Sequence, residues 1–241
     1  MREFLSTYVR RLREYGTQIE PRVLLVLVTL GGGVWLFLEV ADSVLEGDTR
    51  SVDEALLLAM RAQGNVSDPL GPPWLEEVAR DVTALGGIAV LVLVIVTTLL
   101  YFLLMGMRQN ALLVGISVVG GGLLSLLFKT GFDRPRPTLV PHEAHAYSAS
   151  FPSGHSMMSA VVYLTLGVLL ARVHERYVLK VYFLGLALLV TGAVGISRVY
   201  VGVHWPTDVV AGWAAGAAWA MACWLSTHWF QRRDILGDTG S

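Results

Sequence analysis

The stretch SRVYVGVHWPTD, from Ser197 to Asp208, places an arginine, a histidine and an aspartate between two long apolar runs. Polar groups at a membrane boundary are costly and usually mark a functional site. His204 and Asp208 are four residues apart, and Pro206 between them suits the first turn of a helix. This spacing predicts that Asp208 accepts a hydrogen bond from one ring nitrogen of His204, which leaves the other nitrogen unprotonated as a nucleophile.

Two further polar clusters come earlier, KTGFDRPRP (Lys129–Pro137) and FPSGHS (Phe151–Ser156). The clusters together supply three fixed cations, namely Lys129, Arg136 and Arg198. An arginine matches phosphate oxygens with a planar fork, and a lysine acts as a point charge. The free amides of a helix that begins at SGH attract an anion, and Gly154 lets the backbone approach it. The clusters predict a cradle for a phosphoryl group, with His155 donating a proton to the leaving oxygen.

The composition indicates a polytopic membrane protein. Of the 241 residues, 54% are hydrophobic and only 15% are charged, and the mean hydropathy is +0.58. A soluble domain of this length is much more polar. The net charge of −1 gives no sign of a nucleic-acid partner. A single cysteine, Cys223, excludes an internal disulfide and is expected to be a small buried side chain.

Six apolar runs predict an all-α fold, a bundle of six transmembrane helices that forms one membrane domain over residues 1–241. The first run is interpreted as a retained span, because Met1–Arg22 is long for a signal-peptide n-region and no A-x-A site follows. Gly212 and Gly216 either relieve crowding inside the bundle or form a dimer face. The predicted spans are about 22–41, 84–107, 110–130, 154–172, 177–197 and 206–230.

The distribution of Lys and Arg predicts the orientation. Most of the 18 basic residues lie in the two tails and in the second-to-third and fourth-to-fifth connections, whereas the 42–83 connection is mainly acidic. By the positive-inside rule, both termini are cytoplasmic and 42–83 is extracytoplasmic. The end of span three, the start of four, the end of five and the start of six then share the outer face. This topology brings the three polar clusters to one level.

The 42–83 segment is expected to contain short helices. Ser51 and Glu54 have the spacing of a capping box, and Pro73 suits the first turn of a second helix. The helices lie either on the outer leaflet or against the bundle, and the sequence leaves both placements open.

The three clusters together resemble the motifs of the type 2 phosphatidic acid phosphatase family, which shares its site with vanadium-dependent haloperoxidases. The family pattern is K-x6-R-P, then P-S-G-H, then S-R-x5-H-x3-D, and all three parts match without a gap. The matching residues are Lys129 with Arg136-Pro137, Pro152-Ser153-Gly154-His155, and Ser197-Arg198 with His204 and Asp208.

The resemblance implies a metal-independent phosphatase that needs no cofactor and forms a phosphohistidine intermediate. By motif position, His204 is the nucleophile, Asp208 its partner and His155 the general acid. The implied phosphate ligands are Lys129, Arg136, Arg198, Ser153 and Gly154.

Three residues near these motifs keep open interpretations. DRPRP contains two Arg-Pro pairs, and only Arg136 has the family spacing from Lys129. Arg134 is then either a secondary headgroup contact or a plain surface charge, and Arg136→Ala is expected to cost far more activity than Arg134→Ala. His142 and His145 either touch the substrate or belong to a solvated loop.

The expected function is that of a plasma-membrane lipid phosphatase whose site faces the periplasm or cell exterior. Its partners are membrane lipids and a lipid phosphate: undecaprenyl pyrophosphate, phosphatidylglycerophosphate, phosphatidic acid or the phosphate of lipid A. The outer face favours undecaprenyl pyrophosphate modestly, and the oligomeric state stays open. Two alternatives are a haloperoxidase, whose known members are soluble and larger, and a lipid-binding or transport protein without chemistry. The latter predicts a damaged motif, whereas the motif here is intact.

Overall fold

The structure, a computed structural model, describes residues 21–140 and 149–237. Helices dominate it, and a short antiparallel hairpin is added near the start. The elements in chain order are α1 (Pro21–Glu46), α2 (Arg50–Leu58), β1 (Arg61–Ala62), β2 (Asn65–Pro69), α3 (Pro73–Ala84), α4 (Ile88–Leu104), α5 (Arg108–Gly131), α6 (Gly154–Ser159), a π-helical turn (Ala160–Leu164), α7 (Thr165–Val173), α8 (Tyr177–Tyr200) and α9 (Pro206–Gly237).

The expected all-α polytopic architecture is confirmed, with a qualification on the number of spans. Within the described residues, five helices are long and apolar enough to cross a membrane, and α3 with α4 makes a sixth if this bent pair is one span. The two helices meet at 46°. Leu85, Gly86 and Gly87 form turns back onto the end of α3, and the extended backbone of Gly87 starts α4. The expected span of 84–107 is therefore a shorter helix that begins at Ile88.

The span that begins at Gly154 is continuous but irregular. Residues Gly154–Val173 form one candidate span of 20 residues, in which α6 passes into α7 through the π-helical turn. A π turn inserts one extra residue per turn and often occurs near functional sites. The sequence analysis did not predict this feature, since the apolar run of the span is uninterrupted there.

Helix α9 lies against several other helices, and small residues permit its close packing. A Cβ atom on Gly212 would lie 2.7 Å from the carbonyl oxygen of Ser153, and one on Gly216 would collide with that of Met157. The two glycines therefore relieve crowding inside the bundle, and the dimer-face interpretation is wrong for this pair. The close approach also sets the start of α6 beside the start of α9, so two of the polar clusters become neighbours.

The segment between α1 and α4 packs on the bundle at the end that carries the polar clusters. In α2, Asp53 and Leu57 are fully buried. In α3, the hydroxyl of Thr83 lies 2.6 Å from that of Ser197, at the end of α8. The sequence left open whether these short helices lie on the outer leaflet or against the bundle. These contacts show that they pack against the bundle.

The predicted capping box is wrong. Helix α2 begins at Arg50, so Ser51 lies inside the helix and Thr49 precedes it without capping it through its side chain. Glu54 pairs instead with Arg50, one turn earlier, at 2.9 Å. The hydroxyl of Thr49 accepts a hydrogen bond from Arg134. This tertiary contact uses the side chain that could otherwise have capped the helix. The expected first-turn position of Pro73 in α3 is present.

The hairpin β1–β2 is anchored by an arginine that the sequence analysis did not single out. The Arg61 side chain is buried and donates a hydrogen bond of 2.9 Å to the carbonyl oxygen of Tyr200. Burial lowers the pKa of Arg61, but an arginine stays protonated at neutral pH. Gly202 has φ +82°, and a Cβ there would lie 2.8 Å from the Arg61 guanidinium. The hairpin is thereby held against the loop that leads to His204.

Candidate active site

His204 and Asp208 form the contact that their spacing predicts. The Nδ1 atom of His204 lies 3.3 Å from Oδ2 of Asp208, and both side chains are buried. The same Oδ2 accepts a hydrogen bond from the backbone N–H of Trp205 at 3.0 Å. Asp208 lies in the first turn of α9, which begins at Pro206. The carboxylate is therefore fixed by local backbone as well as by the ring.

The second nitrogen of His204 faces a cation. Nη1 of Arg136 lies 3.3 Å from Nε2 of His204 and donates to the carbonyl oxygen of Val203 at 2.9 Å. A guanidinium has only donors, so this contact assigns the lone pair to Nε2 and the proton to Nδ1, which donates to Asp208. In this tautomer the unprotonated nitrogen points toward a guanidinium, a group that can also bind phosphoryl oxygens.

Burial keeps the His204 ring neutral. Removal of the ring from water lowers the pKa of His204 to about 4, and the hydrogen bond to Asp208 raises it only in part. Burial also lowers the pKa of Arg136, against the opposite effect of Asp208. At neutral pH the site therefore combines a neutral imidazole with a charged guanidinium.

Lys129 and the start of α6 form another side of the site. Lys129 lies in the last turn of α5, and a Cβ added to Gly154 would lie 3.6 Å from its Cε and 3.8 Å from its Nζ. A side chain at 154 would thus narrow the space beside the ammonium group. The first-turn amides of Gly154 and His155 have no carbonyl one turn earlier within the helix, so they are placed to donate to an anion.

Ser153 is the N-cap of α6 and already has partners. Its backbone N–H donates to the carbonyl oxygen of Asp208 at 2.9 Å, and its Oγ accepts from Oγ of Ser156 at 2.9 Å. These bonds tie the start of α6 to the start of α9. The hydroxyl proton of Ser153 is the group with which it would reach a phosphate oxygen.

Arg198 lies in the last turn of α8, and only 8% of its surface is exposed. Its Nε is buried and has no hydrogen-bond partner within residues 21–140 and 149–237. A buried unsatisfied donor is costly unless a ligand pairs with it. Arg198 is therefore suited to an anionic ligand.

His155, the second residue of α6, lies within electrostatic range of Arg198, His204, Lys129 and Arg136. The α3–α4 junction approaches this histidine at Gly86, where a Cβ would lie 2.5 Å from Cγ1 of Val194 and 3.3 Å from the Cβ of His155. Sequence analysis missed this role. The Gly86-Gly87 pair in TALGGIAV was the available signal.

Arg134 is not a plain surface charge, so that interpretation is wrong, and the contact with a lipid headgroup stays a prediction. Its side chain is only 14% exposed and lies against the indole ring of Trp205. It donates to Oδ1 of Asp208 at 2.6 Å and to Oδ2 of Asp53 at 2.6 Å. Hydroxyls of Thr207 and Thr49 accept two further bonds, at 2.9 and 3.1 Å. Arg134 therefore joins the catalytic-motif aspartate to helix α2.

The structure thus brings the candidate residues of all three motifs to one end of the bundle. One nitrogen of a neutral imidazole is held by a carboxylate, and the other faces a guanidinium. Such a set can hold a phosphoryl group, attack it and stabilise its developing charge. His142 and His145 lie outside the described residues.

Comparison with known proteins gives consistent matches. The model of the PAP2 superfamily matches residues 110–232, which include all three motif clusters. A phosphatidylglycerophosphatase B from Bacillus subtilis (strain 168) is 34% identical over 184 residues, 75% of this chain and 85% of the relative. An undecaprenyl-diphosphatase from Sulfolobus acidocaldarius is 41% identical over 68 residues, 28% of this chain and 29% of the relative.

One solved structure is similar over most of both chains. It is the crystal structure of a transmembrane PAP2-type phosphatidylglycerolphosphate phosphatase from Bacillus subtilis, with a TM-score of 0.73 and 29% sequence identity. The similarity covers 86% of this chain and 97% of that one. The match therefore includes much of the chain outside residues 110–232.

Proposed function

The chain belongs to the PAP2 superfamily, and on that premise we propose that it is an integral-membrane lipid phosphatase acting through a phosphohistidine at His204. The observation that carries this proposal is the environment of the ring. Asp208 holds Nδ1 at 3.3 Å while Nε2 faces Arg136 at 3.3 Å. A nucleophile needs this combination of an oriented ring, an unprotonated nitrogen and a nearby anion site.

The proposed reaction has two steps. Nε2 of His204 attacks phosphorus, the bond between phosphorus and the lipid oxygen breaks, and protonated His155 gives its proton to that oxygen. Water then attacks the phosphohistidine while neutral His155 takes a proton from it, the bond between phosphorus and nitrogen breaks, and phosphate leaves. Asp208 stabilises the cationic ring of the intermediate.

Three cations and two helix amides supply the electrostatic stabilisation. Lys129, Arg136 and Arg198 surround the proposed phosphoryl position, and the amides of Gly154 and His155 add donors from the start of α6. Fixed donors of this kind stabilise the charge of the transferring group without reorganisation. We therefore propose a metal-independent phosphatase.

Two lipid classes are the leading substrate candidates. A relative that matches 75% of this chain is a phosphatidylglycerophosphatase, and this supports phosphatidylglycerophosphate as the first candidate. A shorter match to an undecaprenyl-diphosphatase supports undecaprenyl pyrophosphate as the second, and phosphatidic acid follows from the motif resemblance. Each of these lipids could bind with its apolar tail between the helices and its phosphate at the end of the bundle that carries the three motifs.

Purified protein in detergent is expected to release phosphate from these lipids with EDTA present, because side chains and amides replace a metal. Orthovanadate is expected to inhibit, since its trigonal-bipyramidal form resembles the transition state that the cations bind. The measurement is phosphate release from a panel of lipid phosphates, ranked by kcat/KM. Strict dependence on added Mg²⁺ would contradict the metal-independent site. Binding of the lipids without any turnover would favour a lipid-binding or transport protein.

The site is proposed to face the periplasm or the cell exterior, with both termini in the cytoplasm. The support is the concentration of Lys and Arg at the other end of the bundle and in the tails. In a Cys223→Ser background, Ser67→Cys in exposed β2 is expected to react with an impermeant maleimide in intact spheroplasts. Glu175→Cys, exposed between α7 and α8, is expected to react only after lysis. The opposite labelling pattern would reverse the orientation.

A further inference from the structure

A buried chain of charged groups leads away from His204 to a helix outside the motifs. His204 contacts Oδ2 of Asp208, and the other oxygen, Oδ1, accepts a 2.6 Å hydrogen bond from Arg134. The opposite nitrogen of Arg134 donates to Asp53 at 2.6 Å. The arginine thus lies between two carboxylates, one of which contacts the ring that we propose as the nucleophile.

Asp53 is fixed on α2 by the first turn of α9. Its Oδ1 accepts from the backbone N–H of Thr207 at 2.9 Å, and its Oδ2 accepts from the Thr207 hydroxyl at 2.7 Å. The side chain is fully buried, and each of its oxygens has a partner. Asp53 precedes the matched range 110–232 by more than fifty residues, so no motif of the family model contains it.

We propose that Asp53 is a positioning residue for phosphoryl transfer, which acts through Arg134 on the Asp208 carboxylate and hence on the His204 ring. The proposal rests on the proposed function, in which His204 is the nucleophile. Helix α2 is thereby part of the active-site structure, although Asp53 touches neither the ring nor the phosphoryl position.

The first reason is geometric. Asp208 carries three contacts from three directions, namely the ring of His204, the backbone N–H of Trp205 and the guanidinium of Arg134. A guanidinium is planar, so fixing one edge on Asp53 fixes the direction of the edge that meets Asp208. Without Asp53, that edge of the guanidinium keeps only the Thr49 hydroxyl as a partner, so Arg134 is held less firmly and the Asp208 carboxylate can shift with it. A displacement of the order of 1 Å costs on the order of 10²-fold in rate.

The second reason is charge. Asp53 and Asp208 together place two negative charges beside the single positive charge of Arg134, while Arg136 and Arg198 act on the ring from its other side. The net negative charge behind the ring favours the cationic imidazole of the phosphohistidine. With Asp53 neutral, Arg134 cancels the charge of Asp208 and that stabilisation is lost. The effect therefore falls on the chemical step rather than on substrate binding.

The test compares Asp53→Asn and Arg134→Lys with the wild type in detergent, using the lipid phosphate that wild type turns over best. Asparagine keeps the shape of Asp53 and removes its charge. Lysine keeps the charge of Arg134 but cannot bridge two carboxylates with a planar fork. For each variant, kcat and the single-turnover rate of phosphohistidine formation are expected to fall about 10- to 100-fold. KM is expected to change by less than about threefold, because the phosphate ligands are intact.

The matched control is Leu57→Ala, one turn further along α2. Leu57 is fully buried like Asp53, and its truncation destabilises the packing of the same helix without altering any charge. Its thermal midpoint is expected to drop while kcat stays within about twofold of wild type. A loss of kcat in Leu57→Ala equal to that in Asp53→Asn would show that α2 acts only by packing, and would overturn the proposal.

A double-mutant cycle separates action through Arg134 from independent action. If Asp53 acts through Arg134, Asp53→Asn is expected to lower kcat much less in an Arg134→Lys background than in wild type. Full additivity of the two losses, or wild-type kcat in both single variants, would overturn the proposal. If Asp53→Asn does not fold in detergent, the kcat and KM of Arg134→Lys decide the test. These outcomes presuppose an active wild type and an inactive His204→Ala, so failure of the proposed function is recognised separately.

Discussion

His204→Ala is expected to reduce kcat for every lipid phosphate substrate by at least about 10³-fold. The reason is that alanine removes the atom to which the phosphoryl group is transferred. Arg136 and Asp208, which contact the ring, have no nucleophilic role to assume. Binding is expected to survive, since the cations and the amides of α6 remain.

The matched control for this variant is His174→Ala. His174 lies between α7 and α8, where Nδ1 contacts the carbonyl oxygen of Leu170 and the ring packs near Phe183. It is at the end of the bundle opposite to the motifs, so phosphate release is expected to stay within about twofold of wild type. Near-wild-type turnover in His204→Ala would remove the nucleophile assignment.

His155→Ala is expected to show an effect that depends on the leaving group. A lipid alkoxide leaves with a high pKa and needs a proton, so hydrolysis of phosphatidylglycerophosphate is expected to slow by about 10²- to 10⁴-fold. Para-nitrophenolate leaves without a proton, so turnover of p-nitrophenyl phosphate is expected to fall by less than about tenfold. The measurement is kcat/KM for both substrates in wild type and variant. Equal losses for both substrates would assign His155 to phosphate binding instead of proton transfer.

The sequence allowed much of the site to be predicted, because the clusters lie at helix ends. Apolar runs of span length fix the order of the helices, and alternation of direction brings the end of α5, the start of α6, the end of α8 and the start of α9 to one side. The local pair His204 and Asp208 follows from a four-residue spacing across a helix start. These predictions needed only chain order and local geometry.

The role of Arg134 could not be predicted in this way. Its partner Asp53 lies 81 residues earlier in the chain, on a helix that the sequence analysis identified only by a capping-box spacing. The family spacing of Lys129 and Arg136 concerns two cations that bind one phosphate. It does not predict that the Arg134 guanidinium contacts Asp208 and Asp53. The expected order of losses, with Arg136→Ala far worse than Arg134→Ala, is therefore replaced by substantial losses in both, through different steps.

Backbone irregularities were missed for a related reason. The π-helical turn at Ala160–Leu164 and the hairpin Arg61–Pro69 are absent from the sequence-based predictions. In the hairpin, Arg61 binds a carbonyl 139 residues later. The capping-box prediction at Ser51 failed because Thr49 and Glu54 found partners that the local pattern does not specify.

The most direct measurement of phosphoryl transfer to His204 is acid-free trapping of the intermediate. The purified protein is mixed with phosphatidylglycerophosphate, quenched in base within milliseconds and analysed by mass spectrometry of the peptide that contains Val203 to Thr207. The expected result is a phosphoryl adduct on His204 that is stable to base and labile to acid, and that is absent from His204→Ala. Turnover with no adduct on this peptide, or with an adduct on another residue, would contradict the proposed mechanism.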